Sequence, residues 1–179
     1  MISIKGFLKE AVQFIPVITL ASSFLVAGGV DMERAGALFV IAGVEAMVIT
    51  GVLLFMKVLL NPVLVGTNLW LCAGALAFGI PLDGLAGVLA HLQAGGLYAC
   101  ALLVGIAFTA VLPTGYIGMV HPDTTTIKRM SIILLILTGM ILVWSLVFVD
   151  NIRLGGGLPF IIMNITRRIM IRRTLRAAS

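Results

Sequence analysis

The chain contains five stretches of about twenty residues that are almost free of charge: 11–30, 35–56, 62–80, 97–117 and 130–149. A helix rises 1.5 Å per residue, so about twenty apolar residues match the ~30 Å hydrocarbon core of a bilayer. A water-soluble body could not cover runs of this kind. Only 11% of the 179 residues are charged and 61% are hydrophobic, whereas soluble domains average about 25% charged and about 45–50% apolar. The low charge also excludes intrinsic disorder. Two cysteines, Cys72 and Cys100, are too few for a disulfide scaffold, and both sit inside apolar runs as small hydrophobes. The expectation is an all-α integral membrane protein, a bundle of five full transmembrane helices plus a short sixth or re-entrant C-terminal segment. It forms one polytopic transmembrane domain over 1–179.

Punctuation between the runs supports these boundaries. Residues 1–10 carry Lys5 and Lys9 like the basic region of a signal peptide, but Val26-Ala27-Gly28 is a poor cleavage site, so the first span is read as retained. Asn61-Pro62 places a turn near 57–61, because the residue before proline avoids the α region and proline suits a first helical turn. Pro81-Leu82-Asp83-Gly84 marks another turn. The apolar piece at 85–93 is too short to cross. Pro113-Thr114-Gly115, sixteen residues into the fourth run, is the best place for a broken helix. His121-Pro122-Asp123 and the three threonines after it read as a polar loop.

The C-terminal part is apolar at 154–166 and basic at 167–179. On a helical wheel Arg168, Arg172 and Arg176 fall on the side of Ile161, Ile165 and Ile169. Apolar and basic residues are therefore separated along the axis and not around it, unlike a helix lying flat on a membrane. Charge counting favours a crossing here. With five spans and an inside N-terminus, five basic residues lie inside and seven outside, against the positive-inside tendency; a sixth crossing makes the division ten to two. Arg167, Arg168, Arg172, Arg173 and Arg176 are expected to anchor at anionic headgroups, each contributing about 1 kcal/mol. Both termini are then cytoplasmic, in a bacterial inner (plasma) membrane. The net charge of +5 does not point to nucleic acid, because no aromatic residues interleave the arginines.

Glu45 is the most informative residue, since it falls near the centre of the second run. A carboxylate at that depth costs about 2.5–3.5 kcal/mol, so such a residue finds a partner, water or a proton, and is a functional candidate by default. Thr50 and Asn68 are expected near it across the hairpin, with Gln13 as a further polar lining residue. The alternative is structural glue, an interhelical hydrogen bond of about 0.6 kcal/mol. Neither His91 nor His121 has Cys, Asp or Glu at metal-ligand spacing. No catalytic motif, metal set or cofactor loop is recognisable. The favoured function is a non-catalytic subunit or scaffold of a membrane assembly, whose partners are other membrane subunits or further copies of the chain. A proton- or cation-coupled transporter or channel component titrating at Glu45 is the alternative. An intramembrane enzyme is disfavoured because no nucleophile–base pair is evident.

Overall fold

The computed structural model describes residues 11–26, 32–80 and 83–177. Among these residues every regular element is a helix. We label them α1 (Ile15–Val26), α2 (Met32–Phe55), α3 (Pro62–Gly79), α4 (Asp83–Leu92), α5 (Ala94–Val111), α6 (Thr124–Val147) and α7 (Leu158–Ala177), with a π-helical turn at Ile152–Gly157 before α7. Four segments are long and apolar enough to cross a membrane: Arg34–Phe55, Pro62–Gly79, Ala94–Val111 and Thr124–Val147. The first expected span, 11–30, is represented by the twelve residues of α1; residues 27–31 lie outside the described part.

The chain forms two compact units, Met1–His91 and Leu92–Ser179. In the first, α3 is the most enclosed helix and packs on α2 and α1. Its start follows from Asn61-Pro62: the Asn61 side chain accepts the Val63 N–H at 3.1 Å, and Pro62 has no N–H to leave unpaired. Gln13 Oε1 accepts the Asn61 N–H at 2.8 Å, so the region just before α1 sits at the start of α3. Between α2 and α3 the chain turns through Lys57, whose φ of 53° is left-handed.

α2 and α3 run antiparallel along a seam of small residues. A Cβ on Gly43 would lie 2.4 Å from Ala75 Cβ and 2.7 Å from the Leu71 carbonyl oxygen. One on Gly74 would lie 2.3 Å from the Phe39 ring. The rings of Trp70 and Phe78 fill the space beside Phe39, with centroids at 4.8 and 5.6 Å. In a bilayer, packing of this kind would be driven by dispersion between close backbones and not by exclusion of water.

In the second unit α5 packs on α6, and α7 folds back on α6. Three ties fix the antiparallel course of α7. Trp144 Nε1–H donates to the Leu154 carbonyl at 3.1 Å, Thr138 Oγ1 lies 3.5 Å from Met163 Sδ, and Ser131 and Arg167 meet at residues 117–118. The buried face of α6 is Ile127, Ser131, Leu134, Thr138, Ile141 and Ser145. Its alternating spacing of four and three is that of a coiled-coil seam.

Several sequence boundaries move. The second helix begins at Met32 and ends at Phe55, close to the expected 35–56. The fourth begins at Ala94 but stops at Val111, not 117, because Pro113 cannot continue the helix and 113–118 forms consecutive turns. The fifth begins at Thr124, six residues before the expected 130. Asp123 caps it, accepting the Thr125 and Thr126 N–H groups at 2.9 and 3.1 Å. The split of the C-terminal part into 154–166 and 167–179 is replaced by the Ile152–Gly157 turn and one continuous twenty-residue helix through the arginines.

The Asp123 cap gives a pH-dependent prediction. Hydrogen bonds from the Thr126 hydroxyl first, and from the Thr125 N–H next, hold its carboxyl below the ordinary aspartate value. A depressed carboxyl contributes stability above its unfolded value and loses it as pH falls through the folded one. The protection of the Thr125 and Thr126 amides against exchange, relative to the intrinsic rate at each pH, should therefore be high at pH 7 and fall below about pH 4. Asp123→Ala should show little protection at either pH.

Candidate functional site

The expected polar cluster is brought together only in part. Asn68 is 6% exposed, and its Nδ2 donates to Thr50 Oγ1 at 2.8 Å. This is the hairpin contact expected across the α2–α3 turn. Thr67 turns its hydroxyl onto the Val63 carbonyl of its own helix at 3.0 Å. Gln13 lies elsewhere, at the start of α3 against Asn61. Glu45 sits on α2 between the Gly43 contact and the Thr50–Asn68 tie. It is five residues from Thr50, about 140° around the helix and ~7.5 Å along it, so the two do not share a face. Glu45 is half-buried, and its Oε2 is buried without a hydrogen-bond partner. Asn68 Oδ1 and Trp70 Nε1 are buried and unpartnered as well.

A second polar constellation, which the sequence reading missed, lies where α5 breaks. Residues 115–119 are buried although they are not helical. Buried irregular backbone needs partners for its N–H and C=O groups. Ser131 Oγ accepts the Ile117 N–H at 3.1 Å, and Arg167 donates from Nε to the Ile117 carbonyl at 2.9 Å and from Nη2 to the Gly118 carbonyl at 3.5 Å. Gly115 has a φ of 56°, and a Cβ there would lie 2.3 Å from Ser131 Oγ. The Tyr116 ring is fully buried, with its hydroxyl 3.3 Å from Thr138 Oγ1. The chain matches no family model, no curated protein and no solved structure.

Arg167 therefore departs from the other tail arginines. It is 6% exposed and points into the second unit, whereas Arg168, Arg172, Arg173 and Arg176 are exposed. The reason is helical spacing. Pro159, Met163, Arg167 and Thr174 form the buried stripe of α7, and Arg167 falls where the broken segment offers carbonyls. Ser131, Thr138 and Ser145, hydroxyls repeated every seven residues in an otherwise apolar run, were the available signal for the inner face of α6. A buried arginine was not signalled, because five arginines in ten residues all look alike in sequence.

The turn before α7 is held in the same manner. Tyr98, fully buried on α5, donates its hydroxyl to the Gly156 carbonyl, and Asn151 caps the turn by accepting the Arg153 and Leu154 N–H groups. A Cβ on Gly155 would lie 2.5 Å from the Phe148 carbonyl oxygen. Among the described residues no group of three His, Cys, Asp or Glu gathers as a metal site. His91 is exposed on α4, and His121 Nδ1 accepts the Asp123 N–H at 3.1 Å as a loop contact.

Proposed function

We propose that this chain is an integral membrane protein that serves as a non-catalytic subunit or scaffold of a membrane assembly. It is seated in a bacterial inner membrane with both termini cytoplasmic. In this reading five apolar runs cross fully, and α7 returns the chain so that its arginines share a side with Lys128 and Arg129. The observation that carries the assembly role is the outer face of α2. Ala37, Ile41, Val44, Val48, Gly51 and Phe55 are all exposed, and their spacing of four and three is a coiled-coil seam. It lies largely opposite the Gly36, Phe39, Gly43 and Thr50 row that meets α3. Small residues near both ends suit close approach of another helix, and nothing lies within 4 Å of the position a Gly51 Cβ would take.

The unpartnered Oε2 of Glu45 and Oδ1 of Asn68 favour the second reading, a proton- or cation-coupled component. One set of measurements separates the two. Cysteine placed at Val44 or Val48, with Cys72 and Cys100 replaced by alanine, should cross-link in native membranes to another subunit or to a second copy. The same protein purified in gentle detergent should carry that partner with it. Glu45→Gln should remain as stable as the parent and leave ion flux in proteoliposomes unchanged. A protein that stays uncross-linked, and whose pH-dependent flux is abolished by Glu45→Gln, would replace the scaffold reading with the transport one.

A further inference from the structure

The outer row of α2 follows a heptad. Ile41, Val48 and Phe55 recur every seven residues, and so do Ala37, Val44 and Gly51; all six are exposed. Membrane helices mostly pair as left-handed coiled coils do, with two such sets on the seam and a flanking row on each side of it. The flanking rows here are Leu38, Glu45 and Val52 on one side and Val40, Met47 and Leu54 on the other. Glu45 thus lies about 80° from the centre of the seam, next to Ile41 and Val48 on the helix surface. It is the only charged residue from 35 to 56, and it stands at the middle of the Arg34–Phe55 span. The side chain is half-buried, and its Oε2 is buried without a hydrogen-bond partner. Lipid tails cover an apolar row well, but they offer nothing to a carboxylate beside it at mid-bilayer.

We propose that this face takes a transmembrane helix of a different subunit, carrying a lysine or arginine at mid-bilayer that pairs with Glu45. Flanking charges in a coiled coil choose the partner and its orientation. A second copy does not fit that role. Laid parallel and in register, α2 of a second copy sets Val40 against Glu45, because contacts across the seam join one flanking row to the other. Laid antiparallel, with Val44 on Val48, it sets Glu45 against Glu45. Arg34 and Lys57 stand eleven and twelve residues from Glu45, about 16–18 Å along the helix. None of the five apolar runs contains a lysine or arginine, so no other span of a second copy supplies one at this depth. Charge complementarity therefore names the occupant: a helix foreign to this chain, apolar apart from a central cation. This pairing rests on the scaffold reading above and adds the chemistry of the subunit held.

The test uses the full chain with cysteine at Val48 and alanine at Cys72 and Cys100, cross-linked in native membranes. Mass spectrometry of the cross-linked peptide should find a span of another subunit with a lysine or arginine near its centre. Glu45→Gln should lower the cross-linked fraction about tenfold, near the upper end for polar contacts between membrane helices, while the purified variant unfolds at the parent's temperature. Glu45→Lys should abolish the cross-link, and glutamate in place of the partner's central cation should restore it. In liposomes, a leucine–alanine helix of about twenty residues with a central lysine should associate with the purified chain more tightly than the same helix with a central leucine. Equal association of the two helices overturns the proposal. So does a cross-link to a second copy, or to a subunit whose span lacks a central cation. A Glu45→Gln fraction equal to the parent's overturns it too, since a neutral donor or plain packing then holds the partner. Absence of any cross-link is a separate result, which removes the scaffold reading and this partner with it.

Discussion

Gly43→Ala should destabilise the α2–α3 pair by about 2–3 kcal/mol, the upper range for forcing extra volume into a packed contact. The new methyl would lie 2.4 Å from Ala75 Cβ and 2.7 Å from the Leu71 carbonyl oxygen. Neither atom can rotate away, because one is fixed to the backbone and the other belongs to it. The helices must separate, which lengthens the 3.7 Å contact from Cys72 Sγ to the Gly43 carbonyl and loosens the Thr50–Asn68 tie. Gly51→Ala is the control. It is on the same helix, and no atom of the chain lies within 4 Å of its Cβ position. In the chain freed of any partner, the better helix propensity of alanine, up to about 1 kcal/mol, should leave stability equal or higher. Thermal unfolding in detergent reads both. Ala75→Gly should rescue Gly43→Ala partly but not fully, since the Leu71 oxygen remains. Equal effects at positions 43 and 51 would show that the close approach does not exist.

Arg167→Met should cost about 3 kcal/mol, whereas Arg172→Met should cost almost nothing in folding stability. Hydrogen bonds to a charged donor are worth about 1.5–3 kcal/mol each, and removing the donor leaves a buried acceptor without a partner. Here the Ile117 carbonyl loses its 2.9 Å bond and the Gly118 carbonyl a weaker one at 3.5 Å. The 113–118 turns should then open, seen as faster amide exchange at Ile117 and loss of the Tyr116–Thr138 contact. Arg167→Lys keeps the charge but not the planar fork, so it should fall between the two. If Arg167→Met and Arg172→Met are alike, Arg167 is one more surface cation.

Much of the helical layout was legible because it depends on neighbours in sequence. The run of apolar residues, Asn61-Pro62 as a start and Pro113 as a stop act through local backbone chemistry, and each appears in the fold where the residues stand. The Thr50–Asn68 pairing was legible for a related reason. A short turn between two helices forces them antiparallel, which fixes the level at which their side chains meet. The start of α6 was misjudged because Thr124, Thr125 and Thr126 look like a loop until Asp123 is seen to cap them.

What sequence by itself determined is therefore a set of apolar helices, their approximate ends and the concentration of positive charge at one end of the chain. Tertiary structure alone decided which arginine is buried, why Gly43 differs from Gly51, and that Glu45 does not share a face with Thr50. The physical reason is the range of the interactions. Helix formation and capping are settled within a few residues, whereas the partner of a buried side chain is set by where a distant segment returns. Arg167 and Arg168 are adjacent and chemically identical, and one turns inward only because the broken segment 113–118, about fifty residues away, presents two carbonyls to it.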